Sequence, residues 1–149
     1  GNQSVAAYIG SDFERIKLAT SERFSDQIDG VVALADANFG NAVDRDIYAR
    51  GLAASMLTPY YVRRYIFARQ IDHTDTLRSI RVPVIFSHGQ LDQAVLARSA
   101  VEMASKVQGS KVTIYEASSH APFVTEAAKF NADLLALLKS IKTGASHDQ

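Results

Sequence analysis

Two short segments hold the residue types that can do acid–base chemistry. One is Ser87-His88-Gly89-Gln90-Leu91-Asp92 and the other is Ser118-Ser119-His120-Ala121-Pro122-Phe123. A carboxylate that accepts a hydrogen bond from one imidazole nitrogen fixes the ring's tautomer. It also steadies the imidazolium formed when the other nitrogen takes a proton. Asp92 and His120 can pair in this way if both turns lie on one rim of a sheet. Each also has a plainer reading: His120 as an ordinary loop histidine, Asp92 as a turn or helix-capping aspartate. The neighbouring groups have structural readings. His88, beside Gly89, is expected to bond within its turn, His73 to sit on the surface and His147 in the tail. Ser118 and Ser119 are expected to shape the His120 loop. Neither sits where a strand turns sharply into a helix, so neither is nominated as a nucleophile.

Residue spacing excludes several other chemistries. The glycines stand at 1, 10, 30, 40, 51, 89, 109 and 144. No two are four apart, so a Gly-x-Ser-x-Gly nucleophile turn is absent, and the same positions exclude Gly-x-Gly-x-x-Gly and the P-loop. The four histidines are too far apart for His-Glu-x-x-His. With no cysteine there is no disulfide, thiolate metal site or Cys nucleophile, and the redox compartment stays open. No metal site and no cofactor is indicated. Lys plus Arg and Asp plus Glu number 16 each, so no surplus of positive charge exists to displace counterions from a polyanion. Neither nucleic acid nor membrane is expected as a partner. No apolar run approaches the ~18 residues of a membrane span. The sequence opens Gly-Asn-Gln-Ser, without Met or the basic and apolar regions of a signal peptide. That start fits a processed, tagged or truncated chain, and the cytoplasm is the default location.

The elements that must position the pair fall into two regimes. At 149 residues and 47% hydrophobic, the chain suits one globular domain with a real core. Residues 4 to about 76 read as helical. Ser11/Asp12 cap a helix through Phe13, Ile16, Lys17 and Thr20. A second apolar face (Ile28, Val31, Val32, Ala35) ends near Gly40. A third helix runs from about Asp44 to Leu57 on Ile47, Tyr48, Leu52 and Met56. Thr58-Pro59 opens a fourth, with Thr58 as N-cap and Pro59 at the first helical position, and Val62, Tyr65, Ile66 and Arg69 on one side. Arg63, Arg64 and Arg69 read as a solvated or salt-bridged face. From Val82 the pattern changes. Val82–Phe86 lacks alternation, as in a parallel strand buried on both faces, and Pro83 fits only near its start. A helix follows with Ala97, Ala100, Val101, Ala104 and Val107 on one face, stopped by Gly109. Lys111 to Glu116 alternates like a strand. A last helix from Thr125-Glu126 turns Phe130, Leu134, Leu137 and Ile141 inward. A helix-length connection between the strands predicts that they are parallel. Two strands bury too little to stand alone, so the rest of a sheet is expected from another polypeptide or from a second copy.

Val-Pro-Val-Ile-Phe-Ser-His-Gly-Gln-Leu-Asp, then a helix, a strand and Ser-Ser-His-Ala-Pro-Phe, resembles the final two βα units of the α/β-hydrolase superfamily. The match covers roughly residues 77 to 142. It implies an α/β fold class: the C-terminal part of an α/β-hydrolase, a helical lid block at 1–76 followed by a β-α-β-α unit at 77–142, with a flexible tail at 143–149. It implies Asp92 as the acid and His120 as the base of a catalytic triad. The first block is similar to the superfamily's lid or cap, which supplies pocket walls. Its Thr-Pro helix followed by Asp72–Asp75 looks like the approach to the strand in bacterial members. Tyr61, Tyr65 and Phe123 are the candidate substrate-binding residues. For the aromatic group Tyr60, Tyr61, Tyr65 and Phe67, core packing is the first reading and a pocket wall the second. The superfamily's nucleophile elbow and oxyanion-hole loop have no counterpart here. The expectation is therefore a hydrolase of ester or related bonds whose small-molecule substrate meets a nucleophile from a missing N-terminal half. This chain would supply lid, acid and base and be inactive alone. Since the superfamily also cleaves halides, epoxides and carbon–carbon bonds, the fold does not fix the reaction. The alternative is a non-catalytic, self-associating module that binds a small apolar ligand or a protein.

Overall fold

A computed structural model describes residues 5–40, 42–69 and 72–144. The expectations for the first four residues, and for the tail past Gly144, lie outside the described residues. The helical block comprises α1 (Phe13–Lys17), α2 (Phe24–Phe39), α3 (Arg45–Met56), α4 (Tyr60–Ala68) and α5 (Thr74–Ser79), with 3-10 turns at Val5–Tyr8 and Leu18–Thr20. Then come β1 (Ile85–Gly89), α6 (Arg98–Ala104), β2 (Lys111–Tyr115), α7 (Pro122–Thr125) and α8 (Ala127–Gly144). The strands pair in parallel, with Ile85 opposite Lys111 and Gly89 opposite Tyr115. Their C-terminal ends therefore lie at one rim, with α6 as the connection between them.

α2 is the centre of the helical block. Val31, Ala33, Ala35 and Ala37 are buried, and the small residues let neighbours approach closely. Gly30 is tightest: a Cβ there would fall on the backbone of Leu18 and Ala19. Gly40, at φ +53°, ends the helix in a conformation L side chains rarely adopt. α3 begins where Asp44 accepts a hydrogen bond from the Ile47 amide at 2.9 Å, an ordinary N-cap.

Several sequence expectations need correction. Pro59, at φ −60° and ψ 146°, is the N-cap of α4; neither Thr58 as cap nor Pro59 as first helical residue holds. The buried residue of α4 is Arg63, while Tyr65 and Ile66 are exposed and Arg69 lies just past the helix. Arg63 donates to the carbonyls of Ala19 (2.8 Å) and Ser55 (3.0 Å). Its long stem fills the space between α3, α4 and the Leu18–Thr20 turn, and its head satisfies carbonyls left open at element ends. Arg64 does lie on the surface, 3.1 Å from Glu22. Ile28 and Ile47, expected inward, are exposed.

β1 begins at Ile85, three residues later than Val82, which is itself 67% exposed. Pro83 has no N–H to give a ladder, and pairing starts only when the Lys111 amide reaches the Val84 carbonyl at 2.9 Å. Nor is β1 buried on both faces: Ile85 and Phe86 are half-buried, because β2 is its only paired strand among the described residues. Val101 of α6 and Leu134 and Ile141 of α8 are exposed rather than inward. Gly109 does stop the segment after α6, with φ +74°. α8 begins at Ala127, and Thr125-Glu126 close the separate helix α7. α8 is fastened to the sheet through Tyr115, whose hydroxyl donates to Asp133 at 2.9 Å and whose ring lies against Phe130.

Candidate functional site

The rim formed by the ends of β1 and β2 carries both chemistry-bearing turns. After β1 the chain is stitched to the turn after β2 by the Gln90 amide on the Tyr115 carbonyl and the Leu91 amide on the Ser118 carbonyl, both 2.9 Å. That proximity explains Gly89: a Cβ there would collide with the carbonyls of Ser118 and Ser119. The residues 8–12 add a further support. They run antiparallel to the acid turn, with Ile9 opposite Val95, the Gly10 amide on the Ala94 carbonyl, and the Leu96 amide on the Tyr8 carbonyl.

Asp92 has no exposed side-chain surface. Its Oδ1 accepts from the amides of Ala94 (2.8 Å) and Val95 (2.9 Å). Its Oδ2 lies 2.7 Å from His120 Nδ1 and 3.1 Å from His88 Nε2. The turn-capping and ring-pairing readings of Asp92 thus hold together, one on each oxygen. Burial alone would raise the Asp92 pKa, but the hydrogen bonds from His120, His88 and the Val95 amide outweigh it. The carboxyl is held well below the usual carboxylate range.

His120 is presented by a braced loop. Ser118, fully buried, donates to Glu126 Oε2 at 2.6 Å and accepts from the Thr125 hydroxyl at 2.7 Å. The Ala117 amide reaches the same carboxylate oxygen at 3.2 Å. On the other side, the Ser119 hydroxyl and the His120 amide both donate to the carbonyl of Ala37, in the last turn of α2. The imidazole itself is 42% exposed. Its Nδ1 is bound to Asp92, which leaves Nε2 as the second ring nitrogen.

His88 bonds within its turn as expected, with Nε2 2.8 Å from the Val95 carbonyl. Its approach to Asp92 was not anticipated. The Asp92 hydrogen bond raises the His88 pKa, burial opposes it, and the Val95 carbonyl adds to the rise. His73 is exposed at the start of α5; His147 lies outside the described residues. Ser118 and Ser119 shape the His120 loop as expected, with their hydroxyls engaged in it.

The candidate pocket residues do not join this constellation. Tyr61, Tyr65 and Phe123 are 62%, 69% and 57% exposed, which corrects the core-packing reading for the two tyrosines. Phe67 instead packs on Phe13, with ring centroids 5.6 Å apart. Two open cavities of about 250 and 310 Å³ lie beside α1 and α4, sharing Lys17, Thr20 and Arg64. Neither is lined by Asp92 or His120. Among the described residues, no group of three or more His, Asp or Glu is arranged to hold a metal ion, and no helix is long and apolar enough to cross a membrane.

No protein-family model matches the chain. Sequence relatives match about half of it. A non-heme haloperoxidase from Rhodococcus erythropolis is 38% identical over 72 residues, which is 48% of this chain and 26% of that protein. A pimeloyl-[acyl-carrier protein] methyl ester esterase from Vibrio cholerae is 36% identical over 66 residues, 44% of this chain and 26% of the esterase. The structural likeness is broader. The crystal structure of an esterase from a Rhodococcus species superposes with a TM-score of 0.83 over 94% of this chain and 52% of its own, at 22% identity. The chain folds as the C-terminal portion of an α/β-hydrolase. A bromoperoxidase from Bacillus anthracis shares this α/β-hydrolase fold with a TM-score of 0.72 at 18% identity, over 85% of this chain and 48% of its own. The chain thus spans about half the length of the solved α/β-hydrolases it superposes on, and its sequence matches cover about a quarter of the curated relatives.

The sequence brought out Asp92 and His120 but missed the partners that hold them: His88, Ala37, Glu126 and the 8–12 segment. A backbone carbonyl such as that of Ala37 leaves no trace in a one-letter code. Glu126, eight residues past Ser118, has no spacing signature.

Proposed function

We propose that this chain supplies the general base, His120, and its orienting acid, Asp92, to a serine-type hydrolase of esters or related bonds. The observation that carries the reading is the 2.7 Å contact between His120 Nδ1 and the buried Asp92 Oδ2, with the His120 side chain partly exposed. The esterases and haloperoxidases among the relatives support a hydrolase over other α/β enzymes. In this reaction a nucleophilic hydroxyl attacks the carbonyl carbon while His120 Nε2 takes its proton. The same nitrogen returns the proton to the leaving alkoxide as the carbon–oxygen bond breaks, and water repeats the cycle on the acyl intermediate. Asp92 stays ionised throughout and stabilises the imidazolium. The nucleophile and the oxyanion donors come from polypeptide other than these 149 residues, and the helical block, with Tyr61, Tyr65 and Phe123 exposed beside it, provides walls for a small-molecule substrate.

The test is activated-ester hydrolysis by the 149-residue chain alone and by the chain with whatever companion or longer precursor native mass spectrometry finds in cells. The chain alone should react no faster than free imidazole, unchanged by His120→Ala. The completed protein should turn over, and His120→Ala should lower its rate by about 10²–10⁴-fold. A completed protein indifferent to His120→Ala overturns the assignment. Turnover by the chain alone that a Ser118/Ser119 double alanine variant abolishes would place the nucleophile within it.

A second reading, a non-catalytic self-associating module, draws on a different observation. Leu134, Leu135, Leu138 and Ile141 of α8 are all exposed, and β1 has an unpaired edge among the described residues, a surface that binds apolar partners. Self-association of the chain, with no gain of turnover when any companion is added, would favour it.

A further inference from the structure

We propose that His88 is a positioning residue of this site: its Nε2, hydrogen-bonded to the Val95 carbonyl, is held against the Asp92 carboxylate and so fixes the oxygen on which His120 rests. The inference rests on the acid–base reading of Asp92 and His120 and adds a third side chain to it. The Val95 carbonyl only accepts, and it lies 2.8 Å from His88 Nε2, so that nitrogen carries the proton. The same nitrogen lies 3.1 Å from Asp92 Oδ2, the oxygen that also lies 2.7 Å from His120 Nδ1, so its positive end faces the carboxylate. The Val95 amide in turn donates to Asp92 Oδ1 at 2.9 Å. The contacts close a ring running from His88 to the carboxylate, through Val95, and back to His88.

The two amides grip only Oδ1. Anchored at one oxygen, a carboxylate can still tilt, and a tilt moves Oδ2 off the line to His120 Nδ1. His88 supplies the second anchor, and it does so from within β1, where it stands opposite Ile114 of β2. A donor on a paired strand is held more rigidly than one on a loop. The His88 side chain is only 13% exposed, so water does not easily replace it. The rise in the His88 pKa caused first by Asp92 agrees with a direct contact.

The experiment is nitrogen-15 NMR of the histidine rings in the full chain, as wild type, His88→Gln and His88→Leu. Gln retains an N–H donor at the position of Nε2; Leu fills similar space without one. In the wild type, His88 should carry its proton on Nε2, and neutral His120 should be the Nδ1–H tautomer with a strongly downfield ring proton. His88→Gln should keep that signature. His88→Leu should lose the downfield proton and lower the His120 Nδ1–H to Nε2–H ratio several-fold. A Leu variant identical to wild type overturns the proposal, and so does a Gln variant as impaired as Leu. Should the Leu variant not fold, the other two samples decide: a bare Nε2 on wild-type His88, or loss of the His120 signature in His88→Gln, refutes it, and both retained upholds it. These ring states do not depend on turnover, so failure of the hydrolase reading and failure of this one are separately visible.

Discussion

Replacing Asp92 tests the site most directly, because each oxygen has a distinct job. Asp92→Ala removes the acceptor for the Ala94 and Val95 amides, which lie 2.8 and 2.9 Å from Oδ1. Ala94 is buried at 6% exposure and Val95 half-buried, so one amide is left fully orphaned and the other partly. A buried unsatisfied donor costs about 1–3 kcal/mol, and the half-buried one adds the low end of that range, giving about 2–4 kcal/mol in all. Asp92→Asn keeps Oδ1 and both amide bonds. Its new NH2 group, however, faces the His88 N–H, which cannot turn away without losing the Val95 carbonyl. His120 must also change tautomer to accept from it. One donor-against-donor contact and one lost charge-assisted bond cost about 1–2 kcal/mol. The expected order is wild type, then Asn, then Ala, read from urea midpoints at unchanged m-value. Asp92→Ala within about 0.5 kcal/mol of wild type would refute the claim that the turn hangs on Oδ1. An Asn variant no better than Ala would refute the division of labour between the oxygens.

Arg63→Ala should lower stability by about 2–3 kcal/mol in thermal unfolding, since it removes two hydrogen bonds, leaves the Ala19 carbonyl without its side-chain donor and opens a gap where the stem packs; Arg63→Lys should recover only part. The stability–pH profile should fall on both sides of the Asp92–His88 pair. Asp92, lowered in the fold, contributes stability that is present above ~3.9 and lost as pH falls through its lower folded value. His88, raised in the fold, contributes stability that is full below ~6.5 and lost as pH rises through its folded value; in urea midpoints across pH, Asp92→Asn should flatten both arms. Sedimentation of the isolated chain should show self-association through the β1 edge and the apolar face of α8, and an ideal monomer with cooperative unfolding would contradict it.

What the sequence revealed and what it hid divide by range. The stops at Gly40 and Gly109 are written within one turn of chain, where positive φ has a strong residue preference, whereas Asp12, read with Ser11 as a cap, makes no side-chain cap bond to α1. The parallel strands follow from the length of the connection between them, and the Asp92–His120 pair follows from both turns sharing a rim. Boundaries were less legible: Pro83 moved the start of β1 downstream because a ladder waits for its partner, and Pro59 served as a cap because its φ suits that role as well as the first helical position. Long-range contacts were not legible at all. Arg63 reads as a surface cation because only the fold brings the Ala19 and Ser55 carbonyls to it. His88 reads as a local turn residue because nothing in its spacing points at the carboxylate four residues on. Val82, Val101 and Leu134 are exposed, although their apolar spacing reads as inward-facing.

The carbonyl of Ala37 divides the helical block mechanically. It is occupied twice, by the Ser119 hydroxyl and the His120 amide, so the end of α2 and the base loop move as one piece. A one-residue insertion in α2 before Ala37 would rotate that carbonyl by about 100° and unmoor His120. Among the described residues of the helical block, no hydrogen bond to the His120 loop comes from beyond Phe39; α3 packs on α2, and α4 on the Leu18–Thr20 turn. Helices there can change length, or be exchanged wholesale, without altering the register of the imidazole. The seam between those helices and the His120 loop lies within a single helical turn.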